Sequence, residues 1–304
     1  MSLQTIAKYG KSRNFKMQTL TVFTPTYNRQ DMLGRVHDSL KEQTNKDFEW
    51  LIVDDGSTDS TEDVVKGFKK ENIINIRYYK RENGGKMRAH NDGVRHTDSP
   101  LFVCLDSDDY FTKTAVDDIL RAWENADDKE SLAGIVAHKG RSETEVLYDQ
   151  KFPDIERTTI FDLKLRGFNG ETTLIFRTDI LKKYLFPEIE REKYVPEDYV
   201  YDLIGQEKEL LVCPKILTVC EIVESGYTDS VEKLRWNNPT GWYLYYVNRA
   251  KFAPNGVLKL KYAAHCLRFS LLAEDSYKRE NPLPFSLVLA GLPGAILLSL
   301  RRKL

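Results

Sequence analysis

Three carboxylates, Asp106, Asp108 and Asp109, follow directly on an unbroken apolar run, Leu101-Phe-Val-Cys-Leu105. The Asp-x-Asp spacing of Asp106 and Asp108 suits a hard divalent cation, Mn2+ or Mg2+. Such an ion takes one or two carboxylates and keeps positions open for the phosphate oxygens of a substrate. The competing use is helix capping. A helix is expected to begin at Thr114, and Thr114 with Asp117 makes a capping box there, so Asp106 and Asp108 are surplus to that task. Three other apolar segments end in polar, turn-forming residues: Pro25-Thr-Tyr-Asn-Arg29, Asp54-Asp55-Gly-Ser57 and Glu82-Asn-Gly-Gly-Lys86. Further on, Pro196-Glu197-Asp198 has the composition of a helix start, with acids at the positive end of the helix.

The elements that must hold these residues can be read from periodicity. Residues 20–24, 48–53, 73–79 and 101–105 form strands, the first stopped by Pro25. Between them, Leu33, Val36 and Leu40, then Val64, Val65 and Phe68, then residues 87–94, show helical spacing. Strand and helix alternating at this pace imply βαβ units and a parallel sheet. In a right-handed wound sheet all four turns share one edge and line one crevice. A short unbroken apolar strand such as 101–105 is expected to be buried on both faces.

The second half is less regular. Strands are expected over 135–137, 172–176 and 212–223, the last with a bend at Pro214, while 139–169 reads as charged and irregular. A helix opens at Pro196 and continues through Leu203. Residues 224–235 have the composition of a lid, and Trp236, Trp242 and Tyr243 would either stack on sugar rings or pack in the core. Residues 255–278 read as an amphipathic helix. Residues 285–300 are nearly all apolar, interrupted by Gly291, Pro293 and Gly294, with Arg301-Arg302-Lys303 after them. As a helix that stretch reaches ~24 Å, short of a bilayer core of ~30 Å. It fits an interfacial anchor on the anionic cytoplasmic leaflet better than a span. The alternatives are a helix packed on the domain or on a second subunit of a homo-oligomer.

Composition narrows the class. The chain has 304 residues, 41% hydrophobic and 30% charged, with net charge −1. That balance is globular and gives no general attraction for nucleic acid. Four scattered cysteines without a Cys-x-x-Cys argue against a zinc site or a disulfide framework and fit a reducing, cytoplasmic setting. There is no Gly-x-Gly-x-x-Gly, no Walker loop and no Gly-x-Ser-x-Gly, so dinucleotide, P-loop and serine-hydrolase chemistry are disfavoured. The crevice is acidic and lacks a phosphate-cradling loop, so a metal would have to neutralise a bound diphosphate.

The ordered motifs Val22-Phe-Thr-Pro-Thr-Tyr-Asn-Arg29, Leu51-Ile-Val-Asp-Asp-Gly-Ser-Thr-Asp59, Glu82-Asn-Gly-Gly-Lys86 with Asn91-Asp-Gly93, and Leu105-Asp-Ser-Asp-Asp109 resemble the inverting glycosyltransferases of family 2. The resemblance covers residues 17–205. It implies the α/β GT-A fold, a mainly parallel twisted sheet flanked by helices, here with a helical C-terminal extension. It also implies roles. Pro25, Tyr27 and Arg29 would border the nucleotide base and ribose. Asp54 or Asp55 would accept the base's imide N–H, which favours a UDP-sugar donor. Lys86 and Asn91 would lie near the phosphates or base. Asp106 would hold the ribose or a metal-bound water, and Asp108 would ligate Mn2+ or Mg2+. Glu197-Asp198 matches the family's acceptor-side motif, with Asp198 the catalytic base.

The domain expectation is a tail over 1–16, a catalytic domain over 17–225 with halves meeting at 110/111, and an extension over 226–304. The function expected is metal-dependent transfer of a sugar to a glycan or lipid-linked glycan in bacterial capsule, exopolysaccharide or O-antigen assembly. The protein would be cytoplasmic or peripheral on the cytoplasmic membrane face. The other readings are a nucleotidyltransferase, disfavoured because residues 24–29 carry no glycine, and a catalytically silent nucleotide- or glycan-binding subunit.

Overall fold

A computed structural model describes residues 18–220 and 227–300. The expected tail (1–16), part of the expected lid (224–226) and Arg301 to Lys303 lie outside the described residues. In chain order the first half holds β1 (Leu20–Thr26), α1 (Leu33–Lys41), β2 (Phe48–Asp54), α2 (Thr61–Glu71), β3 (Asn75–Lys80), α3 (Lys86–His96) and β4 (Leu101–Cys104). Next come β5 (Asp109–Phe111), α4 (Ala115–Glu124), β6 (Leu132–Gly140), β7 (Arg157–Thr158), α5 (Ile160–Leu165), β8 (Thr172–Arg177), α6 (Thr178–Leu181), α7 (Asp198–Ile204) and β9 (Glu209–Cys220). The helices α8 (Tyr227–Asn237), α9 (Pro239–Phe252), α10 (Gly256–Ser270), α11 (Asp275–Glu280) and α12 (Phe285–Leu300) complete it.

One sheet runs through the molecule in the order β3-β2-β1-β4-β8-β6-β9-β5, with β7 beside β9. The β3-β2-β1-β4 portion is wholly parallel. Beyond it β8 is antiparallel to both β4 and β6. Alternate residues of one strand feed two cores. Phe23, Leu51, Val53 and Phe102 join the layer with α3, α7 and α9. Leu20, Val22, Trp50, Ile52, Leu101 and Val103 join the layer with α1, α2 and α4. This burial on both faces is why the strands read as unbroken apolar runs rather than alternating ones.

Several expectations need correction. β1 runs through Pro25, which stays in register with Val53. The Phe23 carbonyl accepts from Leu105 N on the β4 side, at 2.8 Å. Backbone groups alternate sides, so the ring nitrogen of Pro25 faces that same side beyond Cys104, where no ladder partner is required. The Thr114 hydroxyl does not cap α4; it donates to Asp118 Oδ2 at 2.9 Å. Segment 139–169 contains α5, capped by Thr159, which accepts from Asp162 N at 3.1 Å. The helix expected over 255–278 is two, α10 and α11. Pro214 does bend β9: Cys213 pairs Ala137 while Ile216 pairs His138, leaving Pro214 and Lys215 bulged.

Nor do Gly291, Pro293 and Gly294 break α12. A Cβ on Gly291 would stand 3.1 Å from the Ala263 Cβ, and one on Gly294 would stand 3.0 Å from the Ala264 Cβ. The glycines therefore let α12 lie close against α10. Its other face leaves Phe285, Leu289, Leu292, Ile296 and Leu297 exposed. No helix among the described residues is long and apolar enough to cross a membrane.

Candidate active site

The four turns meet at the carboxyl edge of β1–β4. Asn28, at φ 51°, hooks the first turn to the second. Its N–H donates to Ser57 Oγ at 2.9 Å, and its Oδ1 accepts from Thr58 N at 2.8 Å. Asn and Asp tolerate this left-handed geometry better than other side chains. Asp55 holds the third turn. Its carboxylate accepts from Arg81 Nη1, Asn83 Nδ2, Gly84 N and Gly85 N, at 2.8, 3.1, 2.9 and 2.7 Å. Gly85, at φ 96°, then starts α3, where a Cβ would stand 2.1 Å from the Lys193 carbonyl.

Pro25, Tyr27, Arg29, Asp55, Lys86, Asp106 and Asp108 line one cavity of about 320 Å3. Two expected nucleotide contacts are not in it. Asp54 is fully buried, with Oδ1 accepting from Ser57 N and Oδ2 from Tyr78 Oη. As the last residue of β2, it stabilises the turn from beneath. Asn91 is also fully buried. Its Nδ2 donates to the Phe186 carbonyl and to Glu188, and its Oδ1 accepts from Phe186 N. It clamps the 186–188 segment to α3 and does not line the cavity.

Lys86, in the first turn of α3, joins the two halves of the site. Its Nζ lies 2.7 Å from Asp106 Oδ1 and 2.9 Å from Glu197 Oε1. Burial lowers the Lys86 pKa, but Asp106 and Glu197 more than reverse it, leaving it well above the ordinary value. Burial likewise opposes the Asp106 charge, and Lys86 and Lys139 overcome it, so its pKa is lowered. Lys139, on β6, also binds Asp109 at 2.8 Å, so Asp109 is a structural partner, not a third ligand.

A metal would have little protein to hold it beyond Asp108. Among the described residues no three His, Cys, Asp or Glu side chains cluster in a ligating arrangement. Asp108 is exposed on the cavity wall and no ion pair holds it among the described residues, whereas Asp106 is engaged by Lys86. This donor set fits a cation that takes most of its remaining ligands from diphosphate and water.

A second cavity of about 440 Å3 is lined by Lys86, Asp106, Glu197 and Asp198 among others, with Lys86 bridging Asp106 and Glu197. Asp198 lies at the N-terminus of α7. Lys164 of α5 and Arg249 of α9 both bind its Oδ2, Arg249 Nη2 at 3.2 Å. Oδ1 has no hydrogen bond among the described residues. Arg249 itself is buried against Asp202, which contacts it through both oxygens. Tyr243 packs in the core and donates to the Asn281 carbonyl at 3.1 Å, so it is not a sugar platform. Trp236 packs on Phe269, ring centroids 5.0 Å apart.

Sequence reasoning missed Lys139, Lys164, Arg249 and Asp202. Lys164 was findable through Thr159-x-x-Asp162, a capping signature ahead of an apolar run. Arg249, amid Tyr245-Tyr-Val-Asn-Arg-Ala250, was marked only as a charge following a run of aromatic and apolar residues.

A parallel half whose crevice is continued by a mixed half carrying a carboxylate is the arrangement of the GT-A class of transferase fold. Solved structures agree. The Staphylococcus aureus TarS 1–349 complex with UDP-GlcNAc superposes with TM-score 0.62 at 20% identity, over 91% of this chain and 79% of that one. The Pyrobaculum calidifontis mannosyltransferase PcManGT, with GDP-Man and Mn2+, gives 0.56 at 17% identity, over 96% and 83%. The family model "Glycosyl transferase family 2" matches residues 21–185, more than half of the chain. The protein belongs to glycosyl transferase family 2.

Curated relatives include a teichoic acid poly(glycerol phosphate) polymerase of Staphylococcus epidermidis, 28% identical over 55% of this chain and 23% of that protein. Another is a poly(ribitol-phosphate) beta-glucosyltransferase of Bacillus spizizenii, 31% identical over 55% and 27%. The chain thus spans about a quarter of the length of these relatives.

Proposed function

We propose that the protein is a metal-dependent inverting glycosyltransferase that moves a sugar from a nucleotide-sugar donor, UDP-linked, to a cell-surface glycan acceptor. The observation that carries this reading is that Lys86, Asp106 and Asp198 line one cavity. Donor phosphates and a base for the acceptor would face each other across a sugar-sized space. Tyr27, 47% exposed, and Pro25 offer a wall on which a nucleotide base would stack. The relatives named as a teichoic acid poly(glycerol phosphate) polymerase and a poly(ribitol-phosphate) beta-glucosyltransferase support the acceptor class.

In the reaction Asp198 takes the proton of an acceptor hydroxyl. Its Oδ1 is the atom for this, because Oδ2 is held by Lys164 and Arg249. The hydroxyl oxygen bonds to the anomeric carbon, and the bond from that carbon to the diphosphate breaks, its electron pair leaving with the nucleoside diphosphate. One displacement inverts the centre. Lys86 places a cation near the departing charge. A divalent ion at Asp108, when bound, would supply further neutralisation of that charge. The exposed apolar face of α12 would rest in the membrane interface, bringing the site to lipid-linked glycans.

The test is calorimetric titration of UDP, GDP and dTDP with Mn2+ and then with chelator, followed by transfer assays. One nucleotide should bind in a metal-dependent way that Asp108→Ala abolishes, and Asp198→Asn should stop transfer while binding persists. Absence of nucleotide binding under every metal would remove the reading.

A further inference from the structure

Beyond Asp198 the crevice opens into a third cavity of about 370 Å3 that neither donor nor base accounts for. Lys164, Tyr194, Arg235, Trp242 and Tyr245 line it together with Asp198. Two of these residues carry unspent donors. Arg235 Nε and Trp242 Nε1 are both buried without a hydrogen-bond partner among the described residues. Buried N–H groups are normally paired, so two on one wall suit a ligand rich in acceptor oxygens.

Lys164 and Arg235 are the cations that line the cavity, beside the carboxylates Glu197 and Asp198, and Arg268 and Lys261 leave an excess of positive charge on the Arg235 side. The Arg235 guanidinium lies over the Trp242 ring, 5.1 Å from its centroid, and Arg268 lies over Trp236 at 5.5 Å. Glu232 is the carboxylate bound to Arg235, at 2.9 Å. The nearby His265 feels the excess: burial first, then Arg268, Lys261 and Arg235, lower its pKa to about 4. On the opposite wall Lys164 is 41% exposed and bound to Asp198. Unlike Arg249, which Asp202 fixes in place, it is a surface cation that an incoming anion can recruit.

We propose that this cavity is an acceptor subsite for phosphate. The acceptor carries a phosphodiester or diphosphate a few bonds from its reacting hydroxyl, and Arg235, Trp242 and Lys164 bind that group. The guanidinium fork matches phosphate oxygens, and the aromatic wall takes the apolar edge of the adjoining polyol or sugar. Recruiting Lys164 relieves Asp198 of one of its two cations, so binding of the correct acceptor also readies the base. This inference rests on Asp198 being the base side of a transferase.

The experiment measures binding to the full chain by tryptophan fluorescence and calorimetry. The probes are a glycerol-phosphate oligomer, farnesyl-diphosphate-linked N-acetylglucosamine and, as neutral control, octyl β-N-acetylglucosaminide. At least one phosphate probe should bind ten times or more tightly than the neutral glycoside, and its affinity should fall as salt rises. Which phosphate probe binds identifies the source, polymer or lipid carrier, and either result supports the subsite. Arg235→Gln should weaken that binding about tenfold, with circular dichroism as the check of fold. Glu232→Gln, which frees Arg235, should strengthen it severalfold. Equal binding of the neutral glycoside, or unchanged affinity in a folded Arg235→Gln variant, would overturn the proposal. Transfer to neutral acceptors with phosphate ignored would remove the subsite and keep the transferase. Phosphate binding without transfer from any nucleotide sugar would do the reverse.

Discussion

Replacing Arg249 by Met tests whether a buried ion pair holds the proposed base in place. Arg249 is 1% exposed, bonds both oxygens of the equally buried Asp202, and reaches Asp198 at 3.2 Å. Removing one partner of such a pair leaves a buried charge and costs about 3–5 kcal/mol. The pKa directions of the two partners differ in what they imply. Burial lowers the Arg249 pKa, but Asp202 and its other acidic neighbours raise it overall. Asp202 is pushed up to about 7, by burial first, with Asp198 adding to the rise and Arg249 opposing it. We hold to the upward direction for Asp202, since a wholly buried carboxylate shares one guanidinium with a second carboxylate.

The sign then follows. An acid whose folded pKa is raised loses stability as pH climbs from about 4 to about 7, with no further loss above that. In Arg249→Met the opposing cation is gone and the Asp202 pKa rises further. The variant's deficit should therefore be modest at pH 6, where Asp202 is protonated in both proteins. Above pH 7 it should widen by up to about 1.4 kcal/mol per unit. Urea unfolding across pH 6–9 reads this directly. Asp202→Asn in the Arg249→Met background should recover at least about 1 kcal/mol at pH 8, yet leave kcat low, because Asp198 stays unclamped. A deficit that is flat with pH, or a double variant no more stable than the single, would refute the reasoning.

Three further outcomes follow from the site. Asp55→Asn turns one acceptor oxygen into a donor facing Arg81 or the Gly84–Gly85 backbone; it should cost about 1–3 kcal/mol and weaken UDP binding at least tenfold, read by urea melts and calorimetry. His90, packed edge-on against Phe23, Phe102 and Phe186, has its pKa lowered to about 3, chiefly by burial and then by Lys86. Its contribution to stability is complete above pH ~6.5 and is lost as pH falls, by about 2 kcal/mol at pH 5; the drop between pH 7.5 and 5 should be smaller by that amount in His90→Leu. Gly85→Ala meets both φ 96° and the Lys193 carbonyl, and should lower stability by at least about 1 kcal/mol; an unchanged melting midpoint would contradict the close approach described.

The first half was legible because its information is local. Each strand's apolar run ends at the residue where function begins, and βαβ handedness brings four such ends to one edge. Pro25, Tyr27, Arg29, Asp55, Lys86, Asp106 and Asp108 share a cavity for that reason. Asp54 and Asn91 sit in the same motifs but serve the backbone. Nothing in a motif distinguishes a side chain that faces ligand from one that holds the turn beneath it. The second half was less legible because its contacts are distant in sequence. Asp198 meets Lys164 of α5 and Arg249 of α9, residues whose local patterns describe only their own helices. Their charges are explained only once packing sets Lys164 in the wall of the cavity that Asp198 lines and Arg249 against the same carboxylate. Lys86 is the exception that links the two regimes. Its motif set it at the donor edge, and the fold gives its ammonium a second partner in Glu197 at 2.9 Å. Donor phosphates that draw Lys86 toward themselves would loosen that contact next to Asp198.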